Sequence, residues 1–155
     1  MRTIATIDGR DIVERDDMSV LFFGPFAVDC DGSDNRHRDS CWQRGTSLTR
    51  NGQPIDAESV PYGVTPPAII RGVRGIVLGC RGIATNMQNG LTSAFVVADV
   101  GPRAKMGEGS CELARRLGLD GNPNHGGTSE HIIRWEFWPG VAAVVDGVTY
   151  SLKAS

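Results

Sequence analysis

The clearest features of this 155-residue sequence are the ones it lacks. No apolar stretch approaches the ~20 residues that cross a bilayer as a helix. The N-terminus, M-R-T-I-A-T-I-D-G, has no hydrophobic signal region. The expectation is that the protein acts where it is made, leaves by another route, or is already trimmed. Histidines number 3 and cysteines 4, with no C-x-x-C or H-x-x-x-H spacing. A zinc site is therefore not expected, and no metal or cofactor is read from the chain. Charge of one sign is also lacking: 16 Lys and Arg against 18 Asp and Glu leave a net charge of -2. Nothing global points to nucleic acid or an anionic membrane. There is no internal repeat, linker or low-complexity tract, so a single domain spanning residues 1–155 and a monomer are expected.

Glycine, by contrast, is abundant, at 20 residues, with 8 prolines. Many glycines between short apolar runs favour a β-rich fold with tight turns. Strands are expected at residues 3–7, 20–28, 73–80, 82–85, 92–100, 132–138, 141–145 and 148–152. Asp8-Gly9, Asn89-Gly90 and Asp146-Gly147 are hairpin turns. Gly24-Pro25 suggests a bulge or an edge within the second strand. Pro66-Pro67 reads as a helix-forbidding strand edge. One helix is expected after Ser110, a good N-cap, with Leu113, Ala114 and Leu117 on its buried face and Gly118 closing it.

The chain is organised around residues 93–119, S-A-F-V-V-A-D-V-G-P-R-A-K-M-G-E-G-S-C-E-L-A-R-R-L-G-L. A β-branched run ends at Asp99. Nine positions on, Glu108 precedes the helix. Cleaving a glycosidic bond needs one carboxylic acid to protonate the leaving oxygen and a second carboxylate to activate water or attack. A strand end and a helix entry can face each other across a cleft at the separation an inverting enzyme needs, with either acid in either role. The plainer alternative makes Asp99 a turn residue bonding backbone amides before Gly101-Pro102, and Glu108 a solvated neighbour of the cap.

That stretch resembles the active-site segment of glycoside hydrolase family 75 chitosanases, with their G-D-x-G-P, I-G-E-x-S and A-x-x-L-G elements. Here Ala98 stands before Asp99 and Met106 replaces the Ile. L-F-F-G-P-F-A-V-D-C-D-G (residues 21–32) is similar to the family's D-x-D-G element. T-S-L (46–48) with I-D-A-E-S-V-P-Y-G-V-T-P-P (55–67) is similar to its L-D-A…V-P-Y…P element. Asn122-Pro123-Asn124 with Gly126-Gly127 looks like the loop after the helix. The resemblance spans residues 21–145. It implies an endo-acting, inverting hydrolase of β-1,4 links in chitosan, with Asp99 and Glu108 as the essential carboxylates.

The same pattern is similar to rare lipoprotein A, expansins and family 45 glycosidases, which share a double-psi barrel. The implied fold is a six-stranded double-psi-like β-barrel with one short packed helix and extra hairpins. A polycationic substrate suits a carboxylate-lined cleft, and Asp29, Asp31 and Asp34 are candidates to pair with its amines, or else serve a tight turn. Trp42, Tyr62, Trp135 and Trp138 are candidates to stack on sugar rings, Trp135 being the most core-like. His37, His125 and His131 read as surface or loop residues. Of the possible disulfides, Cys30 with Cys41, flanking a polar loop, is the favoured pair. The family's fungal members are exported, so secretion is implied, although this chain shows no leader. Two alternatives stay open: a cell-wall lytic enzyme acting on peptidoglycan, and a non-catalytic sugar-binding barrel.

Overall fold

Burial alternates along residues 80–86 and runs unbroken over residues 95–99, and a closed barrel covers both without leaving an edge. The computed structural model describes residues 1–33, 42–101 and 105–153. In chain order the strands are β1 (Arg2–Ile7), β2 (Arg10–Glu14), β3 (Val20–Asp29), β4 (Thr49–Arg50), β5 (Gln53–Pro54) and β6 (Tyr62–Thr65). After helix α1 (Pro67–Gly72) come β7 (Cys80–Asn86), β8 (Thr92–Val100) and β9 (Glu108–Ser110). Helix α2 (Cys111–Arg116) then leads to β10 (Thr128–Ala142), β11 (Val144–Val145) and β12 (Val148–Thr149). Six strands close the barrel in the order β3-β10-β7-β8-β6-β9, with β9 returning to β3. Two pairs are parallel, β3 with β9 and β6 with β8. The other ladders of the ring are antiparallel. This is the expected mainly-β, double-psi-like barrel. The β1–β2 hairpin extends it through β2 and β3. No helix among the described residues is long and apolar enough to cross a membrane.

Aromatic rings fill the interior. Phe26 stacks on Trp135 at 5.2 Å, and Phe95 meets Trp135 and Phe137 edge-on at 5.7 and 5.6 Å. Each such burial contributes about 1.5–3 kcal/mol. Gly63 and Gly82 make room for the Phe95 ring, since a Cβ on either would collide with it. Trp135 is therefore core and not a sugar platform, and its indole nitrogen donates to the Pro25 carbonyl at 3.1 Å. The expected irregularity near Gly24-Pro25 appears as a register shift on the facing strand, between Thr128 and Ile133.

Two expectations are corrected. Pro66-Pro67 does not forbid a helix. Pro67 occupies the first turn of α1, where a missing N–H costs nothing and the fixed φ is already helical. Residues 73–79 are not strand, and pairing begins only at Cys80.

Helix α2 follows expectation. Leu113, Ala114 and Leu117 are fully buried. Arg116 reaches Glu112 at 2.9 Å and Asp146 at 2.7 Å. The Ser110 hydroxyl accepts from Leu113 N at 3.2 Å and Tyr62 N at 2.9 Å, and donates to Val60 O at 2.8 Å. It ties the helix start to β6. Ser110→Ala removes a cap worth about 1 kcal/mol and orphans a buried N–H at about 1–3 kcal/mol. We expect a loss of about 2–4 kcal/mol in chemical denaturation. A loss below ~0.5 kcal/mol would show that this hydroxyl is not the tie.

Candidate functional site

Strand β6 has β8 on one side and β9 on the other, and its Val64 is the reference point. Asp99 of β8 lies in register with Val64 across the parallel ladder. Glu108 of β9 lies in register with it across the antiparallel one. Strand spacing then sets the two Cα atoms roughly 10 Å apart, one on each side of β6. Both carboxylates are buried, Asp99 at 6% and Glu108 at 8% exposure. Gly101 lies against Val64 and Glu108. A Cβ there would stand 3.1 Å from Val64 Cγ1 and 3.7 Å from Glu108 Oε2. Lys105 pairs with Glu108 Oε1 at 3.2 Å.

Two more acids arrive from the end of β3. Asp29 and Asp31 bring carboxyl oxygens within 4.8 Å of each other and of Asp99. Their backbone is pinned locally, with Asp31 N donating to Asp29 Oδ1 at 2.7 Å. The Tyr62 hydroxyl donates to the Asp31 carbonyl at 2.9 Å and lies against the Asp29 carboxyl. The end of β3, β6, β8 and β9 thus deliver Asp29, Asp31, Tyr62, Asp99 and Glu108 to one place.

The polar segment after Trp42 crosses this cluster. Gln43 N donates to Asp31 Oδ1 at 2.7 Å. Ser47 donates to Asp99 Oδ1 twice, from its amide at 3.1 Å and its hydroxyl at 2.9 Å. Val100 N adds a third donor to that oxygen at 3.1 Å. Asp99 is thereby fixed in orientation. Trp42 donates to the Ser33 carbonyl at 3.2 Å, at the mouth of the same turn.

Crowding acids raises their proton affinity. Burial pushes Asp29 up to about 7, with the charges of Asp99 and Glu108 adding to it. Burial and the Asp29 charge push Asp31 up to about 8. The same burial, with the charge of Asp29, holds the Tyr62 phenol well above its usual value. Carboxylates this close share either protons or a cation.

The structure therefore brings together Asp99, Glu108, Asp29, Asp31 and Tyr62, and sets Trp42 beside them. Asp34, His37, Arg38 and Cys41 lie outside the described residues. Trp138 has Arg81 over its ring at 4.6 Å and Arg15 at 5.7 Å. The disulfide is Cys30–Cys111, with Cα atoms 5.8 Å apart, and not Cys30–Cys41. The reason is the parallel pairing of β3 and β9. Asp29 is in register with Ser110, so the next residues of both strands stand side by side. Cys80 is a buried free thiol, its affinity for the proton raised to about 11 by burial.

Sequence reasoning passed over Ser47 and Lys105. Ser47 sits in the T-S-L element, and its place after a strand-distant loop carries no spacing signal. Ser47→Ala keeps the amide donor and loses the hydroxyl, freeing Asp99 to turn. We expect about a tenfold loss of whatever turnover Asp99 supports, at unchanged thermal stability, in a steady-state assay. Full activity would remove Ser47 from the site.

A scan against protein-family models matches none, and a search of curated proteins finds no match.

Proposed function

We propose that this chain is an endo-acting glycoside hydrolase that cleaves β-1,4 links in chitosan with inversion, Asp99 and Glu108 forming the acid/base pair. One observation carries the reading: two buried carboxylates, Asp99 and Glu108, stand in register with Val64 on either side of a single strand, as a two-carboxylate glycosidase needs a pair set apart. The family 75 resemblance of the residues around them points the same way.

Asp99, with the Asp29 and Asp31 carboxyl oxygens within 4.8 Å of its own, is the acid. It gives a proton to the leaving glycosidic oxygen as the C1–O bond breaks. Glu108, ion-paired with Lys105, is the carboxylate that takes a proton from the water attacking C1 on the opposite face. Water is consumed, one hydroxyl appears on each fragment, and the proton on Glu108 returns to the acid through solvent. The fixed orientation of Asp99 by Ser47 and Val100 limits the reorganisation this step needs. A substrate ammonium relieves the repulsion among Asp29, Asp31 and Asp99 by charge-assisted hydrogen bonds.

The test is incubation with chitosan, chitin and peptidoglycan, followed by mass analysis. The reading expects shortened glucosamine oligomers, each fragment pair heavier than the parent by one water. Anhydro products from peptidoglycan alone would replace it with a lytic transglycosylase. Binding without cleavage of any polymer would make the barrel a sugar-binding module.

A further inference from the structure

Asp99 and Glu108 are chemically alike and almost equally buried, so a division into acid and base needs a difference in their surroundings. That difference is one cation. Asp99 has the carboxyl oxygens of Asp29 and Asp31 within 4.8 Å. Among the described residues it has no Lys or Arg in ion-pair contact. Glu108 has Lys105, whose Nζ lies 3.2 Å from Oε1.

The chain around Lys105 is built to hold it there. Met106, the next residue, is 2% exposed and lines a cavity with Phe22, Ile69, Trp135 and Phe137. Gly107 then turns the backbone at a φ of 86°, the left-handed region that favours glycine. Its carbonyl accepts from Ala27 N at 2.8 Å. A Cβ at this position would stand 2.5 Å from the Pro25 carbonyl oxygen. The segment is thus anchored on β3, and its turn brings residue 105 back over Glu108. We propose that Lys105 is a positioning residue, held by the Met106 anchor and the Gly107 turn as the counter-ion that keeps Glu108 in its carboxylate form and so makes Glu108, and not Asp99, the base. The catalytic half of this rests on the hydrolase reading, and the counter-ion on Glu108 does not.

An opposite charge nearby favours ionisation, and a like charge opposes it. From β3, Asp29 and Glu108 act on each other by charge. From β6, Tyr62 has a phenol held well above its usual value and brings no charge. Asp99 stands on β8, beyond β6. On α2, Glu112 is engaged by Arg115 and Arg116. Among these groups Lys105 is the cation set against the acids. Its side chain is 55% exposed, so solvent screens the pair and its effect is modest. Lys105→Met keeps the stem and removes the charge, and Glu108 should then hold its proton to higher pH.

The experiment is a carboxyl-carbon NMR titration of wild type and Lys105→Met from about pH 3 to 8, the Glu108 signal being assigned by its loss in Glu108→Gln. Activity on chitosan is profiled against pH in parallel. We expect the Glu108 midpoint to rise by about half a pH unit in the variant. The acid limb of kcat/KM should move toward neutral with it, and Lys105→Arg should restore both. An unchanged midpoint would overturn the counter-ion, whatever the activity does. A shift that Lys105→Arg fails to reverse would assign it to repacking of the segment and overturn the counter-ion too. A moved midpoint without turnover of any polymer would uphold the counter-ion and discard the hydrolase. A moved midpoint with an unmoved acid limb on chitosan would overturn the role of Lys105 in the base.

Discussion

Asp99→Asn and Glu108→Gln are each expected to lower chitosan hydrolysis by about 10²–10⁴-fold, the usual contribution of a positioned general acid or base. The fold should survive both changes. Asn at 99 still offers an Oδ1 to Ser47 and Val100, and it removes a charge from a crowded acidic cluster. Gln at 108 keeps the shape of the side chain and gives up the charge that pairs with Lys105, whose side chain is 55% exposed, and exposed pairs contribute little. The loss should therefore appear in kcat, with Tm within a few degrees of wild type. A variant that keeps wild-type turnover removes its residue from the acid/base pair. Equal and partial losses in both, with Tm falling in step, would instead mean that the acids serve the fold.

The second large effect is on stability. Cys30 and Cys111 close a loop with a sequence separation of 81. By the chain-entropy argument such a loop stabilises by up to about 4.5 kcal/mol, and native bridges usually contribute about 2–4. Replacing both cysteines with alanine should lower Tm by about 10 °C in a chain of this size. Activity at low temperature should fall as well. Cys30 stands between Asp29 and Asp31, and Cys111 follows the Ser110 cap, so the bridge clamps two of the acid-bearing segments together. Differential scanning calorimetry of the double variant measures it. An unchanged Tm would contradict the Cys30–Cys111 pairing.

Local physics was legible in the residues. Asp8-Gly9, Asn89-Gly90 and Asp146-Gly147 lie at the hairpin ends, their glycines all at positive φ, and Ser110 caps α2. Ile133, Trp135 and Phe137 do point into one core. Those signals are carried within a few residues. What failed depended on position or on partners far along the chain. Pro67 was read as a breaker because proline breaks helix interiors, yet at the first turn it starts one. The disulfide followed from the parallel register of β3 with β9, a pairing no local pattern announces.

The site divides in the same way. Asp99 and Glu108 stood out in one continuous segment, and the D-C-D-G turn marked Asp29 and Asp31. Their meeting required the barrel to close, and Ser47 and Gln43 entered only because a loop crosses the cluster.

The most direct test is time-resolved proton NMR of a glucosamine oligomer during the first minutes of cleavage, before the anomers equilibrate. An inverting pair of carboxylates on either side of Val64 predicts that the new reducing end appears first as the α-anomer. Initial β-anomer, or no new reducing end at all, would contradict the account.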